Sequence, residues 1–223
     1  YAAVAINAAL RHAALSGEGQ FIDIGMLDTQ VAWLANAGMN YLYAGELGRL
    51  GNAHPNIVPY QVFRASDGLL VLAVGNDAQF ERFCKFAGCP DLAADERYTT
   101  NKARVKNRGS LTPVLSDIMA GKPISHWVEG LVDVNVPCSP INTIDQVFAD
   151  PQVVAREMKI SMPHPHLSGE TVDLIASPLR LSRSPVSYRQ APPQLGEHTS
   201  ELLKELLEIS AQEIAALRER GVV

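Results

Sequence analysis

Between residues 45 and 59 the chain carries Gly, Asn, His and Pro with few apolar side chains, and inside that stretch lies Arg49-Leu50-Gly51-Asn52-Ala53-His54-Pro55-Asn56. Irregular connections of this length within compact proteins are usually functional or disordered. A carboxamide and an imidazole set among glycine and proline can exchange hydrogen bonds and protons with a ligand. Gly51, Asn52 and His54 are therefore the candidate site residues, against the plainer reading of His54 as a turn residue bonded to its own loop. Two carboxylates, Asp23 and Asp28, are the obvious nucleophiles, but Asp23 alternates with Ile22 and Ile24 and reads as structural. His164-Pro165-His166 brings two imidazoles together with no Cys or carboxylate at ligand spacing, so no metal site is expected. Cys84 and Cys89 straddle a helix end on an apolar face, and Cys138 between Pro137 and Ser139 has no evident base. All three read as core thiols. Gly75-Asn76-Asp77 is a turn rather than a phosphate loop, since neither the GxGxxG nor the Walker pattern is present.

The elements that must position these residues follow from local pattern. Residues 1–14 are apolar on every face, which predicts a helix buried in a larger body. No N-cap residue and no strand precede it, so the expectation is that the chain is the C-terminal part of a longer protein. Gly17-Glu18-Gly19-Gln20 makes a turn, Phe21-Ile22-Asp23-Ile24 a short strand, and residues 26–44 one long apolar helix. Gln61-Val62-Phe63 and residues 69–74, joined by Ala65-Ser66-Asp67-Gly68, form a hairpin with Asp-Gly as its turn signal. Asp77 caps a helix over 78–87 that Gly88 ends. Helices follow over 101–120 and from a Ser125 cap over 126–132, then an extended 136–141. Thr143-Ile144-Asp145-Gln146 and Ser210-Ala211-Gln212-Glu213 are capping boxes. Residues 158–177 read as strands joined at Ser168-Gly169, and 176–193 has linker composition.

Composition sets outer bounds. The 223 residues are 47% hydrophobic and 19% charged with a net charge of −5, a globular composition without the basic footprint of a nucleic-acid binder. No apolar run approaches the roughly 20 residues of a membrane span. Three cysteines, an odd number, argue for a reducing compartment, and the cytoplasm is the expected location.

Read in order, Gly17-Glu18-Gly19-Gln20-Phe21-Ile22-Asp23-Ile24-Gly25-Met26-Leu27-Asp28, Arg49-Leu50-Gly51-Asn52-Ala53-His54-Pro55, Pro59-Tyr60 and Asp67-Gly68 resemble the family III CoA-transferases, the CaiB/BaiF family. The resemblance continues through Gly75-Asn76-Asp77-Ala78-Gln79-Phe80, Val136-Pro137-Cys138-Ser139-Pro140-Ile141-Asn142, Asp150-Pro151-Gln152 and Leu195-Gly196-Glu197-His198-Thr199. It spans essentially the whole chain.

That resemblance implies an α/β fold: part of a Rossmann-like large domain plus an inserted small α/β domain, in an interlocked homodimer. Residues 1–44 would be a large-domain part, 45–62 a linker and active-site loop, 63–162 the small domain, 163–193 the return linker and 194–223 the C-terminal large-domain helices. It also implies transfer of CoA from an acyl-CoA to a free carboxylic acid, with CoA as substrate and no tightly bound cofactor. The family's nucleophile is an aspartate, and the resemblance places it before Tyr1, so no catalytic residue is expected in this chain and the chain alone should be inactive. Met26 matches a CoA-contacting position, with core packing as its plainer reading. Where some members carry a glycine run that closes over the acyl intermediate, this chain has His54-Pro55-Asn56. A stiffer polar loop there could line the acyl site with backbone N–H groups facing developing negative charge. The alternatives are an acyl-CoA racemase of the same family or a non-catalytic dimerisation fragment.

Overall fold

The structure is a computed structural model and describes residues 1–45, 48–164 and 171–223. The expected turn at Ser168-Gly169, His166 and part of the return linker lie outside the described residues. By internal packing the chain divides into two compact units, Tyr1–Ile141 and Asn142–Val223.

The first unit opens with three helices, α1 (Ala2–Ser16), α2 (Met26–Ala32) and α3 (Ala35–Ala44). Gly17 ends α1 in the left-handed conformation at φ 77°, donating its N–H to the Ala13 carbonyl. The expected single helix over 26–44 is broken. Trp33 and Leu34 tighten into three-residue bonds to Gln30 and Val31, and Ala35 takes φ 39°, which α-helical stacking does not accommodate. The expected strand at 21–24 does not form either: among the described residues no segment ladders with it, and a strand exists only through its ladder. None of the three helices contains a buried residue, although the sequence predicts a buried opening helix.

The core lies further on. Strands β1 (Tyr60–Arg64), β2 (Leu69–Ala73) and, at the end of the unit, β3 (Cys138–Pro140) form an antiparallel sheet with β2 central. β1 and β2 are the expected hairpin, in register Tyr60 to Ala73 through Arg64 to Leu69. Between β2 and β3 run α4 (Asp77–Phe86), α5 (Pro90–Ala94), α6 (Asn101–Lys106), α7 (Arg108–Ala120) and α8 (Ile124–Asp133). Phe63, Leu70 and Leu72 from the strands meet Phe80, Phe83, Leu111, Leu115, Met119, Trp127 and Leu131 from the helices, all essentially without solvent exposure. Trp127 joins this core at no polar cost, because its indole N–H donates to the Met119 carbonyl at 2.9 Å. Gly130 lets α8 approach: a Cβ there would sit 2.1 Å from the Phe86 ring.

Caps differ from expectation in instructive ways. The cap of α4 is Asn76, not Asp77: Asn76 Oδ1 accepts the Gln79 N–H, which leaves Asp77 available elsewhere. α8 starts at Ile124 after Pro123 rather than after Ser125. Pro123 has no oxygen to cap with, and Asp67 at the hairpin tip supplies one instead, accepting the Ile124 N–H at 2.8 Å. The expected helix over 101–120 is two, α6 and α7, joined at Asn107.

The second unit holds α9 (Ile144–Ala149), α10 (Pro151–Ala155), a two-stranded hairpin of β4 (Lys159–Pro163) and β5 (Thr171–Ile175), α11 (Thr199–Leu207) and α12 (Ala211–Glu219). Both capping boxes form as expected. The β4–β5 hairpin straddles the expected boundary at residue 162, because Lys159 to Pro163 pairs with Ile175 to Thr171 and with no strand of the first unit. By internal packing, residues 142–162 fall in the second unit. No helix among the described residues is long and apolar enough to cross a membrane.

Candidate functional site

The loop that leads into β1 is shaped by side chains from far along the sequence. Arg104, fully buried on α6, donates from Nε to the Val58 carbonyl at 2.6 Å and from Nη1 to the Tyr98 carbonyl at 2.9 Å. Its charge is met by Asp77, at 2.8 Å from Nη2, and its guanidinium lies over the Phe80 ring at 4.4 Å. The same Asp77 oxygen accepts the Asn101 N–H at 2.7 Å. Asn101 then clamps the loop from both sides, donating to the Asn56 carbonyl at 2.7 Å and accepting the Val58 N–H at 3.1 Å. Arg108, at the start of α7, donates from Nη2 to the carbonyls of His54 and Pro55 at 3.0 and 2.7 Å. Four grips, on the main-chain oxygens of His54, Pro55, Asn56 and Val58, thus hold 54–58 in one shape.

The three candidate loop residues are brought together. Gly51 sits at φ 61°, where a side chain would strain the backbone. Asn52 Oδ1 accepts the Val62 N–H at 3.0 Å and ties the loop to β1. His54 stacks on Tyr60, ring centroids 5.2 Å apart and nearly parallel, and its N–H donates to the Tyr60 carbonyl. His54 Nδ1 accepts the Asn56 N–H at 3.1 Å, so in the neutral ring the proton is on Nε2. Both features combine: His54 is bonded to its own loop, as the plainer reading has it, and still presents an Nε2 donor. Asn56 also exchanges two amide hydrogen bonds with Asn40 of α3, at 3.0 and 3.2 Å.

Beside this loop lies a pocket of about 440 Å³, within the range typical of small-molecule sites, roughly 300–1,000 Å³. Leu50, Gly51 and Asn52 line one side, Gln61 and Val62 of β1 another, and Arg108 with Thr112 of α7 a third. Met26 is not among its lining residues. Met26 starts α2 and is 90% exposed, so it is not a core side chain in this chain. Asp28 folds back over Gly25 at the start of α2, where a Cβ would meet its carboxylate at 2.7 Å, a placement that favours negative charge at a helix N-terminus.

The remaining candidates stay apart. Cys84 is fully buried, and its hydrogen bond with Cys89, then burial, push its thiol far up, while the same bond lowers Cys89. Burial raises Cys138 to about 11. His164 donates from Nε2 to the Pro192 carbonyl at 3.1 Å. Among the described residues no three His, Cys, Asp or Glu side chains cluster closely enough to hold a metal ion. Sequence reasoning missed Asn101, Arg104 and Arg108. Their signal was present as polar side chains recurring through a helical stretch that should turn apolar faces inward.

This fold and loop place the chain in a known class. Residues 1–199 match CoA-transferase family III, and the chain belongs to that family. It is 44% identical over 207 residues to a succinate–glutarate CoA-transferase of Agrobacterium fabrum, covering 92% of this chain and 51% of that protein. It is 39% identical over 227 residues to the human succinyl-CoA:glutarate CoA-transferase, covering all of this chain and 51% of that protein. A crystal structure of a CaiB/BaiF family protein from Brucella suis superposes with a TM-score of 0.73 at 41% identity, over 91% of this chain and 52% of that one. The chain spans about half the length of these relatives.

Proposed function

We propose that the protein carrying this chain moves CoA from an acyl-CoA to a free carboxylic acid, and that residues 51–56 form one wall of the acyl site. Family membership supports the reaction. One observation carries the location: a loop fixed by side-chain grips on its carbonyls, with Asn52 lining a pocket beside it and His54, which does not line that pocket, two residues further along the same loop. Fixed donors of this kind stabilise an oxyanion without reorganising as it forms.

In this reading an aspartate outside the chain attacks the thioester carbonyl, the C–S bond breaks, and CoA thiolate leaves a mixed anhydride. The thiolate then attacks the aspartyl carbonyl and releases the first acid. The second acid's carboxylate attacks the resulting enzyme–CoA thioester and displaces CoA thiolate, forming a second mixed anhydride; the thiolate then attacks that acid's carbonyl carbon, giving the new acyl-CoA and freeing the aspartate. Electrons and atoms balance without a redox partner. Each tetrahedral intermediate carries one negative oxygen, and the loop's donors answer it. Met26, exposed at the start of α2, contacts CoA. The enzyme works as an interlocked homodimer in the cytoplasm, and the exposed apolar faces of α1 to α3 support burial against other protein. The relatives named above are called glutarate CoA-transferases, and a dicarboxylic acid is the class we assign to the acceptor.

The experiment is CoA exchange by the full-length protein between succinyl-CoA and glutarate, with hydroxylamine trapping of the acyl-enzyme. His54→Ala and Asn52→Ala should each lower kcat about 10- to 100-fold with little change in KM for the acyl-CoA. Unchanged turnover in both variants removes the loop from the mechanism. Turnover by the 223-residue chain alone would show that the nucleophile lies within it.

A further inference from the structure

Arg104 and Arg108 lie one helical turn apart in number and both grip the loop, but only the first is neutralised. Arg104 has Asp77 at 2.8 Å. Arg108 spends Nη2 on two carbonyls, while its Nη1 is buried and donates to nothing. Among the described residues no carboxylate lies within ion-pair distance of it. Its position compounds this. Arg108 is the first residue of the 13-residue α7, whose first turn has no acidic side chain, so the helix end adds positive field to a positive group. A partly buried cation with an unused donor and no counter-ion is unfavourable until an anion joins it.

The place an anion would come from is already open. Arg108 lines the 440 Å³ pocket together with Leu50, Gly51, Asn52, Gly109 and Thr112. We infer that Arg108 is the specificity residue for the acceptor acid, holding its second carboxylate while the first reacts at the 51–56 loop. A small turn of the guanidinium toward the pocket brings Nη1 to that carboxylate, and Nη2 keeps its hold on the loop. This rests on the CoA-transfer reading and adds to it the group that selects a dicarboxylic over a monocarboxylic acid. A charge-assisted contact of this kind corresponds to roughly 10- to 100-fold in kcat/KM.

The test uses the full-length protein, one fixed acyl-CoA donor, and two acceptors of equal length: glutarate, and glutaramate, whose second carboxylate is a neutral amide. Wild-type kcat/KM should favour glutarate by at least about 10-fold. Arg108→Gln should collapse that ratio toward one through a rise in the KM for glutarate, with glutaramate changed less than about threefold, and Arg108→Lys should restore part of it. Loosening of the loop in Arg108→Gln would slow both acids by the same factor and cancel in the ratio, so the ratio still decides. A loss larger for glutarate than for glutaramate supports the inference. An unchanged ratio in Arg108→Gln overturns it. Wild-type transfer to both acids alike defeats the inference by itself, whereas transfer to no acid at all defeats the CoA-transfer reading beneath it.

Discussion

Leu72 in β2 and Leu42 in α3 are the same side chain with opposite fates: the first has no exposed surface, the second keeps 73% of it. The difference is regional. Residues 58–138 close a core because a central strand brings segments 66 to 70 residues apart into one sheet and five helices cover it. Helices α1 to α3 are as apolar, yet follow each other without a sheet to gather on. Apolar composition states what must be covered. What does the covering depends on elements that return to one another, and those are what 58–138 possesses.

Leu72→Ala should therefore give the largest loss of stability, about 3–4 kcal/mol, from lost burial and the cavity left behind. The check is urea unfolding followed by tryptophan fluorescence. In the 223-residue chain, where Leu42 is exposed, Leu42→Ala in the same assay should change stability by less than about 0.5 kcal/mol, and a comparable loss at both sites would erase the contrast. Arg104→Met should cost about 2–3 kcal/mol. It frees two carbonyls of hydrogen bonds and leaves Asp77, which is half-exposed, to solvent rather than to a partner. Gly130→Ala should cost about 1–2 kcal/mol, since the new methyl must displace the Phe86 ring. An unaltered midpoint for that variant would mean α8 can shift without harm.

The thiols give the smallest effect. Cys89, lowered by its bond to Cys84, should be alkylated first at pH 7.5, then Cys138, with Cys84 last, as read by peptide mass after iodoacetamide. Cys138 also sets a pH window. Its folded value of about 11 lies above the roughly 8.5 of a free thiol, so the unfolded chain ionises first. The stability it contributes is complete below about pH 8.5 and is lost as pH rises through about 11. Replacement by Ser should flatten the alkaline end of the stability profile, and an identical slope would assign that loss to other groups.

Much of this molecule is legible in its sequence, and the exceptions share a cause. The β1–β2 hairpin and both capping boxes are local signals, encoded within a few residues of where they act. The break at Trp33-Leu34, the Asp67 cap on α8 and the absent strand at 21–24 are decided by partners or backbone angles that no short window contains. Arg108 is the sharpest case. Its residue type is visible in the sequence, but its place at the head of α7 depends on the break at Asn107, and the pocket it lines is assembled from three separated segments.

The grips of Asn101, Arg104 and Arg108 on residues 54–58 all close on main-chain atoms, four of them oxygens, and every peptide unit has an oxygen whatever its side chain. Much of the contour of the loop is thus written in Asn101, Arg104 and Arg108, outside its own sequence. Ala53 and Pro55, which hydrogen-bond nothing through their side chains, can be respelled against that frame, whereas Asn52, His54 and Asn56 tie it and cannot. The converse holds for transplantation. Moved into a host lacking Asn101, Arg104 and Arg108, the same loop carries its spelling but not its form.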